Sequence, residues 1–243
     1  MKPLSFILFL LLLTSCKTVP INNSSYKTAK ENVEIGSIGY SKSSFFENNF
    51  STTAFPYLNN KIRVSAEIVP FNKRLNKLYN KKIKFNQNQN SIHYVDSLDI
   101  KPELCVLKIL DINGFVNEIN STDNKSLSEF LKETKKSKVV TSIAIKFSQD
   151  ELIKIKQADT YYIANSQEKK YILHLYKGGK KTEVIDLQYN SVVLGYKLSK
   201  CCWSLNTRNQ WYLTDLINEY SSCKGTSSAT IKNEKEIKNL LKL

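Results

Sequence analysis

The feature that most constrains the fold is a run of four extended segments packed into about forty residues. Residues 160–164, 170–176, 182–187 and 191–198 are rich in Tyr, Ile, Val and Leu, and short polar connectors separate them. Connectors this short cannot carry a crossover, so neighbouring segments must run antiparallel. Gly178-Gly179 marks the clearest hairpin turn, because glycine accepts the positive φ that a two-residue hairpin requires. Residues 61–69 alternate in the same way. Ile62, Val64, Ala66 and Ile68 share one face, Lys61, Arg63, Ser65 and Glu67 share the other, and Pro70 ends the strand.

Helical periodicity is interleaved with these strands. Phe71, Leu75 and Leu78 recur at helical spacing, with Lys73, Arg74, Lys77 and Lys81 on the remaining surface, which predicts a basic amphipathic helix and the strongest basic patch in the chain. Residues 112–119 and 126–134 read as helices, the second with Leu127, Phe130 and Leu131 as its apolar face. Residues 104–112 and 139–147 read as strands. Ser148 followed by Glu151 forms a capping box before the helical QDELIKIKQA. Residues 33–40 and 92–95 are further strand candidates, 98–102 a turn, and 85–91 a polar loop. Residues 43–57 are aromatic without a period and read as an insertion loop; residues 210–220 read as a helix. The fold class expected is α+β, a predominantly antiparallel sheet with several amphipathic helices packed on one side.

The amino terminus carries targeting information. Lys2 precedes an apolar zone of about ten residues from Leu4 to Leu13, too short to span a bilayer, which needs roughly 20. It fits the hydrophobic region of a secretion signal. The zone ends Leu13-Thr14-Ser15-Cys16, which resembles the bacterial lipoprotein signal, or lipobox. That resemblance implies a diacylglyceryl thioether on Cys16, cleavage before it, and acylation, such as palmitoylation, of the new amino terminus. Two or more acyl chains hold a protein stably to a membrane where one does not. The expected division is a signal peptide at 1–15, lipidated Cys16 with a flexible polar tether to residue 32, one globular domain at 33–223, and a polar tail at 224–243. Lys17 replaces the Asp that resembles an inner-membrane retention signal, and KTVPINNSSYK lacks an acidic export stretch. The first points to the outer membrane and the second to its periplasmic side, with exposure at the cell surface as the alternative. Signal and composition together resemble flavobacterial (Bacteroidetes-type) lipoproteins. The resemblance is confined to the signal and supplies no activity.

Charge and cysteine content are read in that compartment. Loss of residues 1–15 removes Lys2 and lowers the formal charge from +14 to +13. The cations are 33 Lys and only Arg63, Arg74 and Arg208, spread along the chain. Arg is the usual reader of phosphates and bases, so nucleic acid is not an expected partner. The expected partners are the membrane, through the lipid, and an envelope protein. Cys105, Cys201, Cys202 and Cys223 remain after lipidation, an even number in an oxidising compartment. Adjacent Cys201 and Cys202 do not bond each other without strain. Each is therefore expected to pair with Cys105 or Cys223, as two structural disulfides.

No catalytic motif stands out. G-x-S-x-G, G-x-G-x-x-G, P-loop and H-E-x-x-H patterns are absent. His174 shares a strand face with Ile172 and Tyr176 and reads as a structural, half-exposed histidine. His93 lies near Asp96 and Asp99, a weaker candidate site. The most unusual segment is KCCWSLNTRNQWYLTDL, which groups Trp203, Arg208, Trp211 and Tyr212 beside two cysteines. Those four residues either pack a corner of the fold or form an aromatic groove with Arg208 for an anion. The sequence thus points to a non-enzymatic envelope protein of structural or interaction type, without metal or cofactor. A ligand-binding lipoprotein for a glycan, lipid or peptide is the alternative, and a hydrolase a more distant one.

Overall fold

Every strand pairing among the described residues is antiparallel. The structure is a computed structural model that describes residues 18–28, 33–43, 48–84, 91–92, 94–134, 136–166, 170–187 and 191–231. In chain order its strands are β1 (Thr18–Ile21), β2 (Ser24–Lys27), β3 (Ile38–Ser43), β4 (Asn48–Ala54), β5 (Ile62–Pro70), β6 (Glu103–Ile109) and β7 (Lys138–Lys146). They continue as β8 (Thr160–Asn165), β9 (Tyr171–Lys177), β10 (Lys180–Asp186), β11 (Val192–Leu205) and β12 (Trp211–Asn218). The helices are α1 (Lys73–Ile83), α2 (Ile112–Asn120), α3 (Lys125–Glu133) and α4 (Gln149–Gln157). The main path through the sheet is β1-β2-β11-β7-β6-β5-β8-β9-β10, with β12 added to β11 and the β3-β4 pair added to β7. This is the α+β class expected from the sequence.

Two long strands organise the sheet. One end of β7 pairs with β6, Cys105 opposite Ile145, and the other end pairs with β3, Ile38 opposite Val139. β11 runs beside β7, then extends past it to pair with β12. Register shifts between Val193 and Gly195 and between Lys197 and Leu198 bend β11, as bulges do. A Cβ at Gly195 would lie 2.8 Å from the Tyr26 Cβ, so only glycine lets the β1-β2 hairpin seat there.

Helices cover both faces of the sheet, not one as the sequence suggested. On the first face, Cys105, Leu107, Ile143, Ile145, Leu173 and Leu175 meet Phe115 and Ile119 of α2, Leu131 of α3, and Leu152 and Ile155 of α4. On the second, Leu104, Val106, Ala144 and Leu194 meet Leu75, Tyr79 and Ile83 of α1 and Val19, Ile21 and Tyr26 of the first hairpin. Each Val, Leu, Ile or Phe among these, fully buried, contributes about 1.5–3 kcal/mol. Local signals hold the helix starts. The Asn72 side chain accepts from Leu75 N at 2.9 Å, Asp111 accepts from Gly114 N at 2.8 Å, and the Ser148–Glu151 capping box is formed.

Several local expectations are corrected. Residues 18–27, expected within a flexible tether, form the β1-β2 hairpin. Asn22 and Asn23 turn it with φ of 43° and 56°, and Val19, Ile21 and Tyr26 are buried. Residues 48–54 form β4 rather than an insertion loop. Residues 210–220 hold β12 rather than a helix. The described residues of 92–95 belong to no strand. The tail begins docked, because Ser228 bridges to Trp203. Among the described residues, no helix is long and apolar enough to cross a membrane. Cys16 lies outside the described residues.

Candidate ligand cleft

A cleft of about 320 Å³ opens where β11 leaves β7. Its floor is apolar: Trp203 and Cys201 of β11 and Leu131 of α3 are buried. Its walls are basic and hydroxylic, with Lys132 from α3, Lys136 and Ser137 from the α3–β7 connection, and Lys200 and Lys138 from paired positions of β11 and β7. The fourth side is the segment 229–231, which contributes Thr230 and Ile231.

That last wall is held from two directions. Cys202 is disulfide-bonded to Cys223, with Cα atoms 5.8 Å apart. Five residues further on, Ser228 exchanges backbone hydrogen bonds with Trp203. The disulfide places the start of the segment and the bridge lays it along the cleft. The Ser228 side chain also accepts from Thr230 N at 3.2 Å, which shapes the strap locally.

The polar groups of the cleft fall into two sets. Lys138 is partly neutralised by Glu219 at 2.5 Å, and Glu219 also holds Lys27 at 2.6 Å. Burial pushes the Glu219 carboxyl up, but the hydrogen bonds and charges of Lys138 and Lys27 outweigh it and leave the group below its ordinary value. By contrast, none of the ion pairs among the described residues involves Lys132, Lys136 or Lys200. The Ser137 hydroxyl is buried with no hydrogen-bond partner, an arrangement that costs about 1–3 kcal/mol until something fills it. Ammonium groups and a hydroxyl around an apolar floor favour an anionic group with an apolar body.

Of the four residues singled out in the sequence, only Trp203 lines this cleft. Arg208 is exposed at the tip of the β11-β12 hairpin, where the Asn206 side chain accepts from Arg208 N and Gln210 N, both at 2.9 Å. Trp211 is half-buried opposite Leu205 and packs on the core edge, and Tyr212 is exposed opposite Ser204. No aromatic groove with Arg208 is assembled. The lysines that replace it come from three separate segments and carry no local motif; only the excess of Lys in 132–138 hinted at them.

The cysteines divide differently from the expectation. Cys202–Cys223 is formed, whereas Cys105 and Cys201 are buried free thiols. Cys105 lies opposite Ile145 on β7, while Cys201 follows Lys200, which lies opposite Lys138. Seven residues of extended strand separate those positions, roughly 23 Å, far beyond disulfide reach. Burial pushes both thiols up to about 12.

The histidine candidates do not gather into a site. His174 is half-exposed between Tyr162 of β8 and Val184 of β10, on the face opposite Leu173 and Leu175. Burial, with Lys181 and Lys61 nearby, lowers its pKa. His93 lies outside the described residues. Asp96 and Asp99 are exposed, and Asp96 accepts from the Tyr94 hydroxyl at 2.9 Å. No group of three or more His, Cys, Asp or Glu side chains among the described residues is placed to hold a metal ion. Comparison of the chain with protein-family models, with curated proteins and with solved structures finds no match.

Proposed function

We propose that the protein is a lipid-anchored cell-envelope protein with an interaction role, exercised through the cleft beside Trp203. Acylated Cys16 would hold the body at the outer membrane, facing the periplasm. The cleft would take a carboxylate or phosphate carried by an envelope glycan, lipid or peptide. The observation that carries the binding part is the meeting of three ammonium groups that form no ion pair among the described residues, Lys132, Lys136 and Lys200, with the Ser137 hydroxyl, which has no hydrogen-bond partner among them, around one apolar floor. It favours ligand capture over a purely structural role, because solvent-accessible charges without a partner among the described residues add little to stability.

Two measurements test the reading. Full-length protein in a bacterial host is expected to take up an alkyne fatty acid and partition into detergent, and Cys16→Ala to abolish both. Titration of the mature chain with citrate and with inorganic pyrophosphate is expected to shift the Trp203 fluorescence. The double variant Lys132→Ala/Lys200→Ala should weaken that binding about tenfold or more. Unchanged titrations in the double variant would remove the cleft from the account.

A further inference from the structure

The outer surface of α1 carries Lys73, Arg74, Lys77 and Lys81, with Lys84 at its C-cap, and all five are exposed. Residues 73–84 contain no acidic side chain, and none of the ion pairs among the described residues involves these cations. The helix cannot rotate to spread them. Its inner face, Leu75, Tyr79 and Ile83, is locked into the same apolar layer as Val19, Ile21 and Tyr26.

The helix also lies where the chain leads to the anchor. Arg74 Nη2 donates to the Thr18 carbonyl at 2.7 Å. Thr18 stands two residues after Cys16, a span of at most about 7 Å. A lipid on Cys16 therefore enters the bilayer close to this basic surface. The cleft belongs to the other side of the sheet: Leu131, Cys201 and Trp203 pack in the apolar layer of the first face, whereas Leu75, Tyr79 and Ile83 of α1 pack in that of the second.

We infer that the exposed basic face of α1 docks on anionic phospholipid headgroups at the membrane that holds Cys16. Only the orientation rests on the lipid-anchor reading above; the attraction of α1 for the headgroups does not. The acyl chains supply residence and the cations supply a fixed orientation, the two-signal arrangement that stabilises peripheral attachment. It leaves the Trp203 cleft turned away from the bilayer.

The test uses the mature chain from residue 16, prepared without lipid, and sedimentation with vesicles. Binding is expected to vesicles containing about 30 % phosphatidylglycerol and not to pure phosphatidylcholine, and to fade as salt is raised above about 0.1 M. Lys73→Glu/Lys77→Glu/Lys81→Glu should weaken binding by about 100-fold or more. The same reversal at exposed Lys177, Lys180 and Lys181, on the distant β9-β10 hairpin, should leave it nearly unchanged. A Gln triplet at 73, 77 and 81 replaces the Glu set if the reversal impairs folding. Equal weakening by both triplets, or no binding to anionic vesicles, overturns the proposal. Because the chain carries no lipid, that outcome is independent of whether fatty-acid labelling at Cys16 succeeds.

Discussion

Trp203 and Ser228 exchange two backbone hydrogen bonds, Trp203 N to Ser228 O at 2.8 Å and Ser228 N to Trp203 O at 2.9 Å. The pairing ties the chain after the Cys202–Cys223 disulfide to the floor of the cleft. A strap with no strand of its own thereby becomes a wall.

Loss of the disulfide should show in both stability and binding. Cys202→Ser frees a loop closed across a sequence separation of 21 residues, worth about 3 kcal/mol in the unfolded chain. Thermal unfolding should shift down by roughly 6–12 °C. Reductant should reproduce the shift in the wild type and leave the variant unchanged. Citrate binding should weaken in the variant well below its unfolding temperature, since the strap then hangs on the Ser228 bridge alone. Undiminished binding would show that the strap is no part of the site.

Cys105 and Cys201 should resist alkylation in the native protein. With both thiols pushed up to about 12, roughly one in ten thousand is ionised at pH 8, and both are buried. Mass spectrometry after iodoacetamide should find residues 105 and 201 unlabelled until denaturant is added, and both labelled afterwards. A Cys105–Cys201 cross-link in the native protein would contradict the strand register.

Glu219 should make stability fall in acid. Its folded pKa lies below the ordinary value of 4.5. The stabilisation is therefore fully present above the unfolded pKa and is lost as pH falls through the folded one. Urea midpoints measured from pH 6 down to pH 3 should drop, and the drop should be shallower in Glu219→Gln. At neutral pH that variant should lose about 1–3 kcal/mol, because Lys27 and Lys138 lose a charged acceptor.

Glu118 should matter more than a carboxylate on a helix normally does. It is 5 % exposed, and its oxygens accept from Asn59 N at 2.8 Å, Asn60 N at 3.0 Å and Asn60 Nδ2 at 2.9 Å. Glu118→Ala strands two backbone N–H groups before β5 and should cost about 2–4 kcal/mol. Glu118→Gln, which keeps one accepting oxygen, should cost less. Equal costs would mean that packing, not the acceptor pair, is what Glu118 supplies.

Much of the fold was legible because its signals are local. The alternation in residues 61–69, the glycine pair at 178–179, with φ of 55° and 76°, and the Ser148–Glu151 box all appear where the sequence placed them. Strand β12 was misread for a definite reason. The register shifts from Cys202 opposite Asp215 to Trp203 opposite Leu213, which leaves Thr214 as an extra residue. Leu213 and Leu216 are then both buried three residues apart, the spacing of a helix face. The first hairpin did carry a signal, two asparagines between alternating Val19, Ile21 and Tyr26, but its polar turn looked like a tether.

By itself the sequence determined the periods, caps and turns, and hence the α+β class. These depend on residues within about four positions of one another, where the backbone geometry is known in advance. Only the tertiary structure decided which cysteines bond, where the cleft lysines meet, and that the chain after Cys223 closes a cleft. Those outcomes depend on how far β11 runs past β7. That length is set by bulges and by the partners available along each edge, which no local pattern encodes.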